Sequence, residues 1–312
     1  MSILISVGND DFKAVEKNIC KENVNSVDEG GNSSIHYAAI NGNIPMITLL
    51  CKNGINVNLQ NKKGLTALHL AAKDNFIDVF LYLVNHGAIY DLKSEDKKTP
   101  LDVAKEYDNQ AIIDCVKELD DFYDACEKSD GKRIKKYINE GISPNIRFGK
   151  NGYTPLHYLT AKGHVDIINF VLDNDGDVNI MTSKYENALH LAMKAKNVNI
   201  VKLYMDYANI NQRGGNGETY LHYSSRINTP DDILKLLFEY GINPYLENND
   251  GQIATDIKKS KLISFYMKMY ERSKKSKDYK AWIKKFVSSK FEWGLERIIN
   301  RIKLDTLVGV DI

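Results

Sequence analysis

One ten-residue pattern recurs along this chain at an almost fixed interval, and that recurrence limits the fold more than any other feature. It reads GNSSIHYAAI from Gly31, GLTALHLAAK from Gly64, GYTPLHYLTA from Gly152, YENALHLAMK from Tyr185 and GETYLHYSSR from Gly217. The step from His36 to His69 is 33 residues, from His157 to His190 again 33, and from His190 to His222 it is 32. A chain made of copies of one such unit folds as a quasi-one-dimensional stack, because no single unit can bury its apolar face alone.

The second unit shows the local logic. Asn61 to Leu65 carry turn chemistry, Thr66 is placed to cap a helix, and Leu68, Ala71 and Ala72 give that helix a small apolar face. Small side chains let it pack closely against its neighbours. After a break at Asp74 and Asn75, the residues Ile77, Phe80, Leu81, Leu83 and Val84 have helical spacing, and Gly87 supplies a C-terminal stop. Each unit is therefore predicted to be a turn, an inner helix and an outer helix.

These motifs resemble the ankyrin-repeat family, whose signature is Gly-x-Thr-Pro-Leu-His-x-Ala-Ala followed by a second helix and a Gly-Ala-Asp-x-Asn turn. The likeness covers roughly residues 1 to 266. It implies an all-α repeat solenoid of stacked helix-turn-helix units with short β-hairpin fingers, about eight or nine units in all, plus a C-terminal helical extension. Residues 3 to 27 hold two short helical patterns, Ile3 to Val7 and Phe12 to Ile19, and suit an N-terminal cap. At the far end GQIATDIKK from Gly251 carries Asp256 in place of the histidine, as terminal repeats of this family do.

The period breaks once. Asp102 falls 33 residues after His69, and Ala104 follows it, but the next comparable alanine, Ala125, comes only 21 residues later. The deficit, about twelve residues, matches one finger with its approaches. The expected division is a cap and first sub-stack over 1–118, a second sub-stack over 119–266 and a basic helical extension over 267–312. A single solenoid that has lost one finger is the competing reading.

Composition narrows the class. Forty-two Lys and Arg against 41 Asp and Glu leave a formal charge of +1, which predicts no nucleic-acid partner and gives no whole-molecule field. Cys20, Cys51, Cys115 and Cys126 are scattered, without a Cys-x-x-Cys pair, and all four are read as lying in helical segments as buried thiols. With no classical signal sequence at MSILISVGNDD and no long uncharged run, the chain is expected in the cytoplasm, or delivered into a host cell by a route that reads no such signal.

Five histidines share one repeat position, with Thr66, Thr154 and Thr219 three residues before His69, His157 and His222. In the family such a histidine hydrogen-bonds across the turn between repeats, so the resemblance gives them a structural role. No phosphate loop, nucleophile motif or metal-ligand cluster is present, and neither catalysis nor a cofactor or metal is expected. The turn asparagines Asn58, Asn145, Asn179, Asn211 and Asn243 are read as bonding backbone within their own turns.

Partner binding falls, by family position, to the concave face made of finger tips and the exposed side of the inner helices. That mapping selects Lys62, Lys63, Leu65 and Lys73 in the early repeats, then Lys150, Tyr153, Lys162, Lys184, Glu186, Lys194 and Arg226. Mixed aromatic and basic residues suit a protein partner with an acidic surface. From Lys268 to Lys303 there are twelve Lys or Arg against four acids, with Trp282 and Phe286 on helically spaced apolar positions and Trp293 in the same stretch. This tail is either a cap on the last repeat or a docking element for a second partner or a membrane surface. The expected protein is a monomeric, non-catalytic interaction scaffold. A host-interaction factor of a microbe or virus is one setting, favoured by heavy use of Asn, Ile, Lys and Tyr, as from an AT-rich genome. The alternative is a targeting or ubiquitin-ligase adaptor whose repeats select a substrate while the tail docks elsewhere, although the tail lacks the proline-led opening of an F-box-like segment.

Overall fold

The structure is a computed structural model and describes residues 3–258 and 260–275. Its order is α1 (Ile3–Gly8), α2 (Phe12–Asn18), α3 (Ser34–Ile40), α4 (Ile44–Lys52), α5 (Ala67–Lys73), α6 (Ile77–Asn85), α7 (Pro100–Glu106), α8 (Gln110–Lys128) and α9 (Gly131–Asn139). There follow α10 (Pro155–Lys162), α11 (Val165–Asp173), α12 (Ala188–Lys194), α13 (Val198–Tyr204), α14 (Tyr220–Ile227), α15 (Asp231–Glu239), α16 (Ala254–Ile257) and α17 (Lys261–Lys275). Contacts group the chain into two compact units, one ending at Lys184 and one beginning at Tyr185.

In the first unit α1, α3, α5 and α7 pack in succession as inner helices, and α4, α6 and α8 form the outer row. Small residues line the inner row. Ala38, Ala39, Ala71, Ala72 and Ala104 are fully buried, which lets successive helices approach closely, while Ile47, Leu50, Phe80 and Leu83 fill the layer beneath. In the second unit α12, α14 and α16 pack in one row and α13, α15 and α17 in the other.

The fingers are tight turns rather than extended hairpins. Asn61 N–H donates to the Leu65 carbonyl at 3.0 Å, Ser94 to Lys98 at 2.8 Å and Gly214 to Glu218 at 2.8 Å. Bridges in the strand sense occur at Val27 with Ser33 and at Phe148 with Tyr153. Several tips also bond to the tip before them, Lys62 N–H to the Gly30 carbonyl at 2.9 Å and Glu95 N–H to the Lys63 carbonyl at 3.1 Å. Gly64 is required there, since its φ is +70° and a Cβ would fall 2.5 Å from the Glu95 nitrogen.

Between Val116 and Ala125 the chain makes no finger. It stays helical, and α8 runs unbroken for 19 residues, an outer helix at its start and an inner one at its end. Ile112, Val116, Leu119, Phe122, Ala125 and Cys126 form one buried stripe along it, so a single amphipathic surface serves both roles. Positions 118 and 119, where the first domain boundary was expected, are consecutive residues of this helix. Positions 266 and 267 are likewise consecutive in α17. Counting α8 twice, the seventeen described helices make nine pairs.

Cys20 departs from expectation. It is exposed and non-helical, since α2 ends at Asn18 and the Asn23 side chain accepts the Cys20 N–H in a turn. The Cys51, Cys115 and Cys126 thiols do lie in helices, with Cys126 fully buried.

If α8 is one mechanical element, proline at the exposed Glu118 must break it. Glu118→Pro should lower stability by about 3 kcal/mol, against little change for Glu118→Ala, in chemical denaturation. Equal midpoints for the two variants would show that the chain breaks there of its own accord.

Candidate functional site

The repeat histidines are buried joints. Ser33 N–H donates to His36 Nδ1 at 3.1 Å, and His36 Nε2 lies 2.9 Å from the carbonyl of Leu65 in the next finger. His69 repeats this with Thr66 N–H at 3.1 Å and the Lys98 carbonyl at 3.0 Å, and His222 with Thr219 N–H at 3.1 Å and the Gln252 carbonyl at 2.8 Å. An amide N–H can only donate, so Nδ1 is the acceptor and Nε2 carries the proton. Thr154 N–H reaches Nδ1 of His157 in the same way at 3.1 Å, while His190 Nδ1 lies 3.3 Å from the Asn187 nitrogen and 2.7 Å from Asn187 Oδ1. The rings of His36, His69 and His222 have no lone pair left for a metal or a proton transfer. Among the described residues no group of three or more His, Cys, Asp or Glu is placed to hold a metal ion.

Asn243 bonds within its own turn as expected, accepting the Tyr245 N–H at 3.0 Å, whereas Asn58, Asn145 and Asn211 act over a longer reach. Asn58 donates to the Gly87 carbonyl at 3.0 Å and accepts the Ile89 N–H at 2.8 Å, while Asn145 donates to the Asp175 main-chain carbonyl at 2.8 Å and accepts the Asp177 N–H at 2.7 Å. Asn211 accepts the Asn243 N–H at 2.7 Å. These side chains tie one repeat's turn to the next, because stacking brings equivalent turns within hydrogen-bond distance.

The residues mapped to the concave face fall into distinct groups. In the first unit Lys62 and Lys63 are exposed at a finger tip, and Lys150 and Lys184 are exposed on later fingers. Leu65 is half-buried, its carbonyl engaged by His36. Lys73 lies 5.8 Å from the centre of the Tyr107 ring, which is itself half exposed. Lys162 donates to the main-chain carbonyl of Glu127, which ties α10 to the end of α8. Tyr153 stacks on His157 at 5.5 Å and meets Tyr158 edge-on at 5.7 Å. That pair belongs to a larger aromatic group with Tyr123 and Phe148. Burial and a hydrogen bond with Tyr123 push the Tyr158 hydroxyl's pKa upward.

In the second unit Glu186 accepts from Tyr223 at 3.3 Å, and burial together with that carboxylate pushes the Tyr223 hydroxyl up to about 12. Arg226 grips Glu218 with two nitrogens, at 2.5 and 3.3 Å, while Lys194 stands exposed on α12. Tyr107, Tyr123, Phe148, Tyr158 and Tyr223 were not anticipated. Tyr158 and Tyr223 both follow the repeat histidine directly, a positional signal that was available. Tyr123 and Phe148 meet only because α8 runs on where a finger would stand. Trp282, Phe286 and Trp293 lie outside the described residues.

Burial lowers the pKa of His36 and His69 below the ordinary value near 6.5. The unfolded chain then binds more protons than the folded one as pH drops below about 6.5, so stability falls with acid across this window, before carboxylates begin to titrate. His69→Ala should cost about 2 kcal/mol at neutral pH through two lost buried hydrogen bonds. It should also flatten the loss of stability between about pH 6.5 and 5, read by urea denaturation at stepped pH. A variant as stable as the parent with the same acid profile would remove the structural role.

The profile described as ankyrin repeats (3 copies) matches residues 3–94, 36–124, 122–214 and 175–248. An ankyrin repeat-containing protein of Schizosaccharomyces pombe is 28% identical over 131 residues, 41% of this chain and 46% of the relative. An ankyrin repeat protein of fowlpox virus is 30% identical over 115 residues, covering 36% of this chain and 15% of the viral one. The chain thus spans less than half the length of these relatives. The crystal structure of the ankyrin repeat domain of Bcl-3 aligns over 77% of this chain and 100% of that domain, at 19% identity and a TM-score of 0.41. With matches running through residues 3–248, this chain belongs to the ankyrin-repeat family.

Proposed function

We propose that this protein is a non-catalytic scaffold that binds a protein partner through the finger tips and the exposed sides of its inner helices. Ankyrin repeats generally mediate protein–protein interaction. The observation that carries the proposal is the division of labour within each repeat. The histidine and its hydroxyl or amide partner are consumed in holding neighbouring fingers, while the residues around them, Lys62, Lys63, Lys150, Lys184 and Lys194, remain exposed. Lysines beside half-buried tyrosines favour a partner with an acidic surface. Within the class, the fowlpox virus relative and the Asn-, Ile-, Lys- and Tyr-rich composition favour a microbial or viral factor acting on host proteins.

The test is charge reversal. Partners captured by the full chain should bind more weakly as salt rises, because screening reaches exposed charges. Replacing Lys62, Lys63, Lys184 and Lys194 by Glu should preserve helix content and slow association by about tenfold or more. Capture indifferent both to salt and to these substitutions would leave the lysines a solubilising role and defeat the proposal.

A further inference from the structure

Arg147 differs from Arg133, Arg213 and Arg226. Arg133 is held by Asp124 at 2.8 Å and by the Asp121 carbonyl at 2.9 Å, Arg226 is held by Glu218, and Arg213 extends into solvent. The Arg147 side chain is half-buried, yet its guanidinium makes no hydrogen bond or ion pair with any described residue. Burial is the influence acting on it, and it disfavours the charged form. Its nitrogens keep some contact with water, and a partly covered guanidinium without a counter-charge gains from meeting one.

The surroundings leave the donors bare. The side chain runs between two glycines. A methyl group built on Gly87 would lie 3.5 Å from Nε with nothing but Arg147 within 4 Å, and one on Gly152 would lie 3.5 Å from Nη1. Both glycines have positive φ, +90° and +66°, a conformation that disfavours any side chain there. The notch follows from the break in the repeat. The finger at 61–65 bonds tip to tip with the finger at 94–98, through Glu95 N–H and the Lys63 carbonyl. The next finger, at 148–153, comes only after α8 and α9, and no such bond joins it to the 94–98 tip among the described residues.

We propose that Arg147 anchors a binding site for an acidic peptide segment, taking one Asp or Glu carboxylate of a protein partner. Its planar fork matches a carboxylate through two parallel N–H···O bonds, and the exposed Lys150 on the same finger adds a second positive charge. The site deepens the scaffold reading and rests on it, supplying a fixed anchor where the finger-tip lysines supply diffuse attraction.

The Nε–Hε resonance of Arg147 in the ¹⁵N-labelled full chain reports on the site directly. Titration with an acetylated hexaglutamate peptide at low salt should shift it saturably, and the matching hexaglutamine peptide should not. Arg147→Gln should weaken hexaglutamate binding by about tenfold, and Arg147→Lys, which keeps charge but loses the fork, by less. An Arg147 resonance unmoved by the acidic peptide overturns the site without recourse to any variant. Inorganic phosphate binding as tightly as the peptide would reassign the notch to free anions and likewise overturn it. If Arg147→Gln leaves peptide affinity intact while lysine reversal abolishes partner capture, the anchor fails and the scaffold stands. If the anchor holds while lysine reversal leaves capture unchanged, the lysine face fails instead.

Discussion

A buried imidazole that is shared between two fingers holds the repeats in register. Nδ1 of His36, His69 and His222 accepts the N–H at the start of its own inner helix, and Nε2 donates to a carbonyl of the following finger. One ring therefore fixes the cap of a helix and the distance to the next repeat together. The carbonyl that Nε2 reaches lies 29 or 30 residues beyond the histidine in the chain, which is why the motif tolerates so little variation in period. Glycine at the tip, as at Gly64, follows from the same close spacing of finger backbones.

Where a following finger is missing, the histidine is missing too. Asp102 accepts the Thr99 N–H at 2.9 Å and Asp256 accepts the Ile253 N–H at 3.0 Å, so each carboxylate performs the capping half of the task. An ionised carboxylate has no proton to offer a neighbouring carbonyl. After Asp102 the chain runs into α8 with no finger to receive such a bond, and after Asp256 it runs into α17. At these two places an acid that only caps its helix stands where no finger follows. The aromatic group of Tyr123, Phe148, Tyr153 and Tyr158, and the bare guanidinium of Arg147, both lie where the finger row is interrupted. An irregularity in stacking has become the most chemically distinctive surface of the first unit.

Much of this was legible from residue spacing. The 33-residue step, the small apolar faces, the outer-helix stripe and the loss of one finger are all local or periodic, and such signals survive without coordinates. Three kinds of fact did not. Whether the chain between Val116 and Ala125 turns or continues depends on what packs against Leu119 and Phe122, so an unbroken α8 was beyond a reading based on repeat alignment. The asparagine bonds were placed within one turn because Asn58 and Ile89 are 31 residues apart and meet only by stacking. Lysine at a mapped surface position looks alike whether free, as Lys194 is exposed, or spent on a helix end, as Lys162 is on the Glu127 carbonyl. Arg147 was overlooked for the same reason, since burial without a partner is a property of surroundings and leaves no mark on spacing.

The protonation of the repeat histidines tests the account at its root. Long-range ¹H–¹⁵N correlation spectra of the imidazole rings at neutral pH distinguish the two neutral tautomers from the imidazolium. His36, His69 and His222 should each be neutral, with the proton fixed on Nε2 and Nδ1 showing the shift of an acceptor. Rings carrying the proton on Nδ1, or exchanging freely between forms, would contradict a fold held together by imidazoles shared between fingers.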